Sequence, residues 1–300
     1  MPKISFVDSI NGAISKAMAK DKKMICYGLG VTDPKNIFGT TKNLENKFGK
    51  ERVFDVPTSE NALTGISVGL AINGVRSVVS HQRVDFFLLA FDQLINSAAK
   101  WYYMFGSKKS VPITIRLIIG RGWGQGPTHS QSLQSIFAHI PGLKVVVPSS
   151  PQTAYDLLLA SIFDPNPVVF LEHRWLHNLK SNVKKKNQIS KLKGSRIIKK
   201  GKDLTIITMS FAVFDVMDIA KKMIKEQIDI EVIDLSVVKP IYWSNIISSI
   251  KKTGKLIVVD TGAYTGSVSS DILSEIFIKH SSLLKVSPIK IAMPDFPEPT

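Results

Sequence analysis

Three hundred residues are chain enough for about two domains, and a composition that is 44% hydrophobic and 21% charged excludes a mainly disordered chain. No apolar run approaches the ~20 residues of a membrane-crossing helix, the first ten residues lack the apolar core of a secretory signal, and one cysteine, Cys26, excludes an internal disulfide or a cysteine-cluster metal site, so a cytoplasmic protein is expected. The net charge of +15 does not imply nucleic acid, because ten basic residues and no acidic one fall between Lys180 and Lys202, as in a solvated linker, and no zinc-finger, recognition-helix or aromatic RNA-binding pattern accompanies them.

In chain order, short β-rich runs alternate with stretches of helical period. The pattern predicts a helix over 6–19, strands over 24–29 and 52–56, a helix over 61–72 and a strand over 75–80. A long helix over 87–103 follows, then a strand over 112–119, a glycine-rich loop over 120–126 and a short helix over 132–139. A strand over 144–148, a helix over 152–163 and a strand over 167–172 complete the first half. After the Lys-rich stretch the rhythm restarts, with strands at 204–209, 230–235, 255–260 and 289–293 separated by helices at 214–226, 243–251 and 268–279. The expected fold is α/β: two three-layer α/β/α domains with mostly parallel sheets, over 1–180 and 201–300, joined by a linker over 181–200. The turn-like end at Pro297-Glu298-Pro299-Thr300, with no closing helix, suggests that the natural chain runs on.

Three segments carry candidate chemistry. In Val56-Pro57-Thr58-Ser59-Glu60-Asn61-Ala62 a strand ends, Pro57 forces an extended turn and a helix begins. Glu60 then lies in the first helical turn. It is either an acid set favourably against the helix dipole or a carboxylate at the strand ends where α/β sheets bind ligands. The second segment, His81-Gln82-Arg83-Val84-Asp85-Phe86-Phe87, holds aromatics that either fill the core or stack on a flat heterocycle. The third, Gly120-Arg-Gly-Trp-Gly-Gln-Gly-Pro-Thr-His129, alternates glycines as a loop does when its backbone must approach a ligand or another chain. It is neither a dinucleotide fingerprint nor a P-loop. His129, directly behind it, is an acid/base candidate. His173 and His177 are four residues apart but lack a third ligand nearby.

Taken together these segments resemble the thiamin-diphosphate-dependent transketolase superfamily, and within it the β subunit of 2-oxoacid dehydrogenase E1 components. The similarity rests on Thr58-Ser-Glu60-Asn-Ala, Ala90-Phe-Asp-Gln-Leu-Ile-Asn-Ser-Ala-Ala-Lys100, Thr128-His-Ser-Gln131, Pro141-Gly-Leu-Lys-Val-Val-Val-Pro148 and Asp164-Pro-Asn-Pro-Val-Val-Phe-Leu-Glu172, and covers nearly the whole chain. It implies a pyrimidine-binding domain followed by a transketolase C-terminal domain. It also implies that Glu60 hydrogen-bonds N1′ of the aminopyrimidine, that Phe86 stacks on that ring, that Gln82 lies near the cofactor and that His129 handles protons or the acyl group above the thiazolium. Ser161, Asp164 and Asn166 fall where some relatives hold a structural potassium ion, largely through main-chain carbonyls. No Gly-Asp-Gly occurs in the chain, so the diphosphate and Mg²⁺ are expected on a partner, an α-type subunit, in an α₂β₂ assembly with a β–β contact. The resemblance further implies a lipoyl acyltransferase as a partner.

Some residues depart from the family pattern. The stretch Gly28-Leu-Gly-Val-Thr32 replaces an acidic pair, Arg83 replaces an apolar residue and the loop carrying Arg121 is unlike that of the pyruvate enzymes. Arg83 and Arg121 are therefore candidate substrate contacts. They also leave a second reading open, the C-terminal half of a split transketolase or a carboligase acting on an anionic sugar or oxoacid.

Overall fold

The computed structural model describes residues 3–122, 124–185 and 188–299. Trp123 of the glycine loop and residues 186–187 of the Lys-rich stretch lie outside them. The chain forms two mainly parallel sheets with helices packed against them, the α/β architecture expected.

The larger sheet has seven strands, in the order Val237–Lys239, Lys144–Val146, Val168–His173, Ile113–Ile119, Ser77–His81, Ile25–Gly28 and Val53–Asp55. All pairings are parallel except that of Val237–Lys239 with Lys144–Val146. The central strands are covered on both faces and so read as continuous apolar runs. Ile113–Ile119 is buried at every position. Its one charged residue, Arg116, pairs with Glu172 of the neighbouring strand at 2.7 Å and donates to Ser80 Oγ at 3.1 Å.

The Phe6–Lys20 helix starts on a capping box between Ser5 and Asp8 and buries Phe6, Ile10, Ala13, Ile14 and Ala17 at helical spacing. It packs on the Pro151–Phe163 helix.

The smaller sheet runs Ile289–Met293, Leu256–Ala263, Leu204–Thr208, Ile230–Leu235 and Ser195–Lys199, the last strand antiparallel. Ser195–Lys199 lies inside the Lys-rich stretch, where composition suggested only a linker. It is an edge strand, and the charged Arg196 and Lys199 it carries, both half-buried, suit an edge that must not pair with another chain. One apolar cluster extends from Ile115 and Leu117 through Phe137 and Val145 to Ile233, Ile250 and Val258, so the two halves share a core.

The helix expected over 87–103 is not continuous. A short α-turn, Val84–Phe87, is followed by 3₁₀ geometry at Leu88–Ala90, a π-helical stretch at Gln93–Ala98 and an α-helix at Ala99–Met104. The widened π turn packs on the Glu60–Ile72 helix, where Gly65 lets the Gln93 side chain come close. Apolar periodicity alone does not distinguish these helical forms.

Candidate active site

Glu60 follows the carboxyl end of Val53–Asp55, and His81, Gln82 and Phe86 end or follow Ser77–His81; these two strands flank Ile25–Gly28 and run parallel to it. They line a cleft of about 620 Å³ together with Leu29, Gly30, Asp33, Asp55, Val56, Thr58 and Leu89. Glu60 is the first residue of its helix and only 6% exposed, and its carboxylate accepts no hydrogen bond from another described residue. Its oxygens are not among the fully enclosed polar atoms that lack a partner, so the carboxylate opens into the cleft, where it can share a proton with a ligand.

Phe86 is 40% exposed and meets His129 edge-on, ring centroids 5.1 Å apart. This leaves an aromatic surface at the cleft wall beside the acid/base candidate. His129 ends the short 3₁₀ turn Pro127–His129, half-buried, its Nδ1 3.1 Å from Thr128 Oγ1. The structure therefore brings Glu60, Gln82, Phe86 and His129 into one neighbourhood. Gly30 closes its floor: at φ 78°, a Cβ there would lie 2.7 Å from Gln82 Nε2.

His81 is a cleft residue that sequence gives no reason to single out. It is 1% exposed, packs edge-on to Phe87, and neither ring nitrogen has a partner. Burial lowers its pKa to about 3, so the imidazole is neutral and offers one donor and one acceptor.

His173 and His177 form no metal site. Burial lowers both to about 3, helped by Arg121 beside His173 and chiefly by Arg174 beside His177. His173 Nδ1 accepts from Trp175 N–H at 3.2 Å. Its ring also fixes the start of the glycine loop, because a side-chain carbon at Gly120, φ 112°, would collide with it.

Neither Arg83 nor Arg121 lines the cleft. Arg83 is 8% exposed and donates to Gln125 Oε1 of the glycine loop at 2.6 Å, while its other terminal nitrogen is buried without a partner. Arg121 donates to Met293 Sδ in the second half of the chain. At the positions suggested for potassium, the Asp164 carboxylate already has a cation, Lys144 Nζ, at 2.6 Å. Ser161 Oγ donates to Leu157 O at 2.7 Å, and Arg76 donates to the carbonyls of Ile162 and Asp164. The side chains of Ser161, Asp164 and Asn166 thus form no cation cage, and an ion here would have to share main-chain oxygens with Arg76. Among the described residues no group of three or more His, Cys, Asp or Glu side chains could hold a metal.

The residues present fit an aminopyrimidine: a carboxylate open to the cleft, an exposed aromatic side chain and an unpartnered neutral imidazole line one space. They do not make a diphosphate–metal site.

Comparison with known proteins shows the family to which the chain belongs. Residues 2–179 match the family model of the transketolase pyrimidine-binding domain, and residues 194–300 that of the transketolase C-terminal domain. The chain is 34% identical to the β subunit of an acetoin:2,6-dichlorophenolindophenol oxidoreductase from Cupriavidus necator, over 99% of this chain and 90% of that one. It is 34% identical to the pyruvate dehydrogenase E1 β subunit of Porphyra purpurea, covering 100% and 90%. It is 35% identical to the 2-oxoisovalerate dehydrogenase β subunit of Bacillus subtilis, covering 99% and 91%. Among solved structures, a split-gene transketolase described as an inactive β4 tetramer superposes with a TM-score of 0.80 at 19% identity, over 98% of this chain and 90% of that one, a likeness of fold.

Proposed function

The chain belongs to the E1 β-type subunits of the thiamin-diphosphate-dependent 2-oxoacid dehydrogenase family, and on that premise we propose that it forms half of an enzyme that decarboxylates a 2-oxoacid and passes on the acyl unit. The observation that carries this reading is the Glu60 carboxylate, which accepts no hydrogen bond from another described residue and opens into a cleft lined by Phe86 and His81. In this reading residues 1–180 are the pyrimidine-binding unit, 201–300 the C-terminal unit and 181–200 the join.

Thiamin diphosphate, when bound, supplies the nucleophilic carbon and the electron sink that decarboxylation of a 2-oxoacid requires. The protein's part is orientation and proton handling. Glu60 would hold a proton at N1′ of the aminopyrimidine and so bias the tautomer of the ring. Phe86 stacks on that ring and fixes its plane, and Gln82 and His81 offer polar contacts at its edge. His129, at the rim, holds or delivers the proton at the substrate oxygen.

The diphosphate and Mg²⁺ belong on an α-type partner, because this chain has no Gly-Asp-Gly stretch. Leu89, 71% exposed at the cleft, and Ile66 and Tyr103, 52% and 88% exposed, supply apolar surface for the α contact and for a β–β contact in an α₂β₂ assembly. A lipoyl acyltransferase is the proposed acceptor of the acyl unit. With one cysteine, and no helix among the described residues long and apolar enough to cross a membrane, the reading keeps a cytoplasmic location.

The test is reconstitution. Alone, the chain binds thiamin diphosphate weakly. Mixed with a partner chain carrying Gly-Asp-Gly, it binds tightly and releases CO₂ from pyruvate or a branched-chain 2-oxoacid. Tight binding without a partner refutes the half-site. Ketol transfer from a sugar, with no CO₂ release, would select the split-transketolase reading instead.

A further inference from the structure

The segment that carries His129 has little structure of its own: a three-residue 3₁₀ turn, Pro127–His129, then irregular backbone up to the Gln134–His139 helix. It is held from outside at three points. From the first half of the chain, Asp85 Oδ1 accepts from the Gln131 main-chain N–H at 3.3 Å and from its side-chain amide at 2.8 Å. From the second half, Glu298 Oε1 accepts from Ser132 N–H at 3.0 Å. Also from the second half, Asp260 Oδ1 and Thr261 Oγ1 accept from Gln134 Nε2 at 2.8 and 3.1 Å.

Glu298 is the one anchor of the three that comes from the terminal segment beyond the last strand, Ile289–Met293. The charges that bear on it are Arg121, from the glycine loop, and Asp85, from the Val84–Phe87 turn. Arg121 is itself held on Met293 of the last strand. The glycine loop, the His129 segment and the terminal segment thus close on one another.

We propose that Glu298 is a positioning residue, through which the C-terminal half of the chain holds the His129 segment in place for proton transfer. This deepens the function proposed above and rests on it for the role of His129, whereas the clamp itself does not. The clamp gives the second half, which contributes no residue to the cleft, a part in the chemistry. It is also sensitive to protonation. Burial raises the Glu298 carboxyl to about 7, against the opposing pull of Arg121 and the Ser132 amide, with Asp85 adding to the rise. A carboxylate accepts a stronger hydrogen bond than a carboxylic acid, so the clamp tightens as pH rises through neutrality.

The experiment is hydrogen-exchange mass spectrometry on the intact chain at pH 6 and pH 8, comparing wild type, Glu298→Ala and Glu298→Gln through protection factors for peptides spanning 127–134. Wild type is expected to protect this segment more at pH 8 than at pH 6. Glu298→Ala lowers its protection about tenfold at pH 8, the size of a lost hydrogen bond to a charged group. Glu298→Gln, which keeps an acceptor but cannot titrate, gives intermediate protection with no pH dependence. In the reconstituted enzyme, Glu298→Ala lowers kcat with thiamin diphosphate binding unchanged, and Glu298→Gln removes the step near neutral pH from the kcat profile. Unchanged protection in Glu298→Ala overturns the proposal, as does a loosening spread evenly over the chain. Segment-specific loosening in a protein that turns over no 2-oxoacid with any partner supports the clamp while the proposed function falls.

Discussion

Replacing Arg116 by Met removes one half of an ion pair at the centre of the larger sheet. Both side chains are 1% exposed, the guanidinium and carboxylate are 2.7 Å apart, and the second Glu172 oxygen has no partner. Glu172 would be left buried with its main counter-charge gone, a change that costs about 3–5 kcal/mol. For a domain of this size that corresponds to a loss of roughly 6–20 °C in Tm. The cost depends on pH. Burial already raises the Glu172 carboxyl, opposed mainly by Arg116. Without Arg116 the carboxyl rises further, and the folded protein holds a proton that the unfolded chain gives up above its ordinary value of 4.5. Stability of the variant therefore falls as pH rises above 4.5 towards its raised value, and its loss continues above the value at which wild-type Glu172 has already ionised. The double variant Arg116→Met, Glu172→Leu removes both charges and should recover to within about 1 kcal/mol of wild type. Urea unfolding at pH 5.5 and pH 8, followed by tryptophan fluorescence, measures all three proteins. A single variant that loses under about 1 kcal/mol at pH 8, or a double variant no more stable than the single, would refute the reasoning.

Three further predictions concern the cleft and its surroundings. Phe86→Ala should weaken thiamin diphosphate binding by the reconstituted enzyme about tenfold, the value of one aromatic stack, with Phe86→Tyr close to wild type; calorimetry reads both. His129→Ala should retain cofactor binding but lower kcat by about 10²–10⁴, as expected when a general acid/base is removed, and an unchanged rate would make the residue structural. His81, His173 and His177 are held neutral by burial, each at about 3 against an ordinary 6.5. The unfolded chain takes up protons that the folded one refuses, so these imidazoles make stability fall as pH drops below about 6.5, towards 3. His81→Phe should flatten that slope in a denaturation series over this range, and a slope equal to wild type would show that His81 is not held neutral.

The alternation of strand and helix was legible because each element's apolar spacing is set locally. Ile289–Met293 lies where periodicity puts it, and the Phe6–Lys20 helix differs from its expected span by one residue. The position of Glu60 was legible for the same reason: a strand end and a proline-forced turn put it at the start of a helix. What depends on distant pairing was not. Nothing in Val237–Lys239 says that this strand returns to the larger sheet, beside Lys144–Val146. Arg116 in its apolar strand gives no hint of Glu172, 56 residues on, nor Glu298 of Ser132, 166 residues back. Ser195–Lys199 was hidden because its Lys-rich surroundings resemble solvated chain, while its pairing with Ile230–Leu235 is a tertiary fact. Arg83 and Arg121 stood out as departures from a family pattern, yet the structure turns them to the glycine loop and to Met293 and not into the cleft. His81 carried no signal beyond its place at a strand's end, since an orphaned imidazole is recognised only once its neighbours are known.

The central claim is that Glu60 shares a proton with the aminopyrimidine of a bound cofactor. Glu60→Gln tests it most directly, in a reconstituted enzyme whose thiamin diphosphate is followed by circular dichroism of its tautomers while CO₂ release is measured. The account predicts a folded protein that still assembles with its partner, lacks the imino signal and loses turnover by at least about a hundredfold. A Glu60→Gln enzyme with the wild-type tautomer signal and wild-type turnover would contradict it.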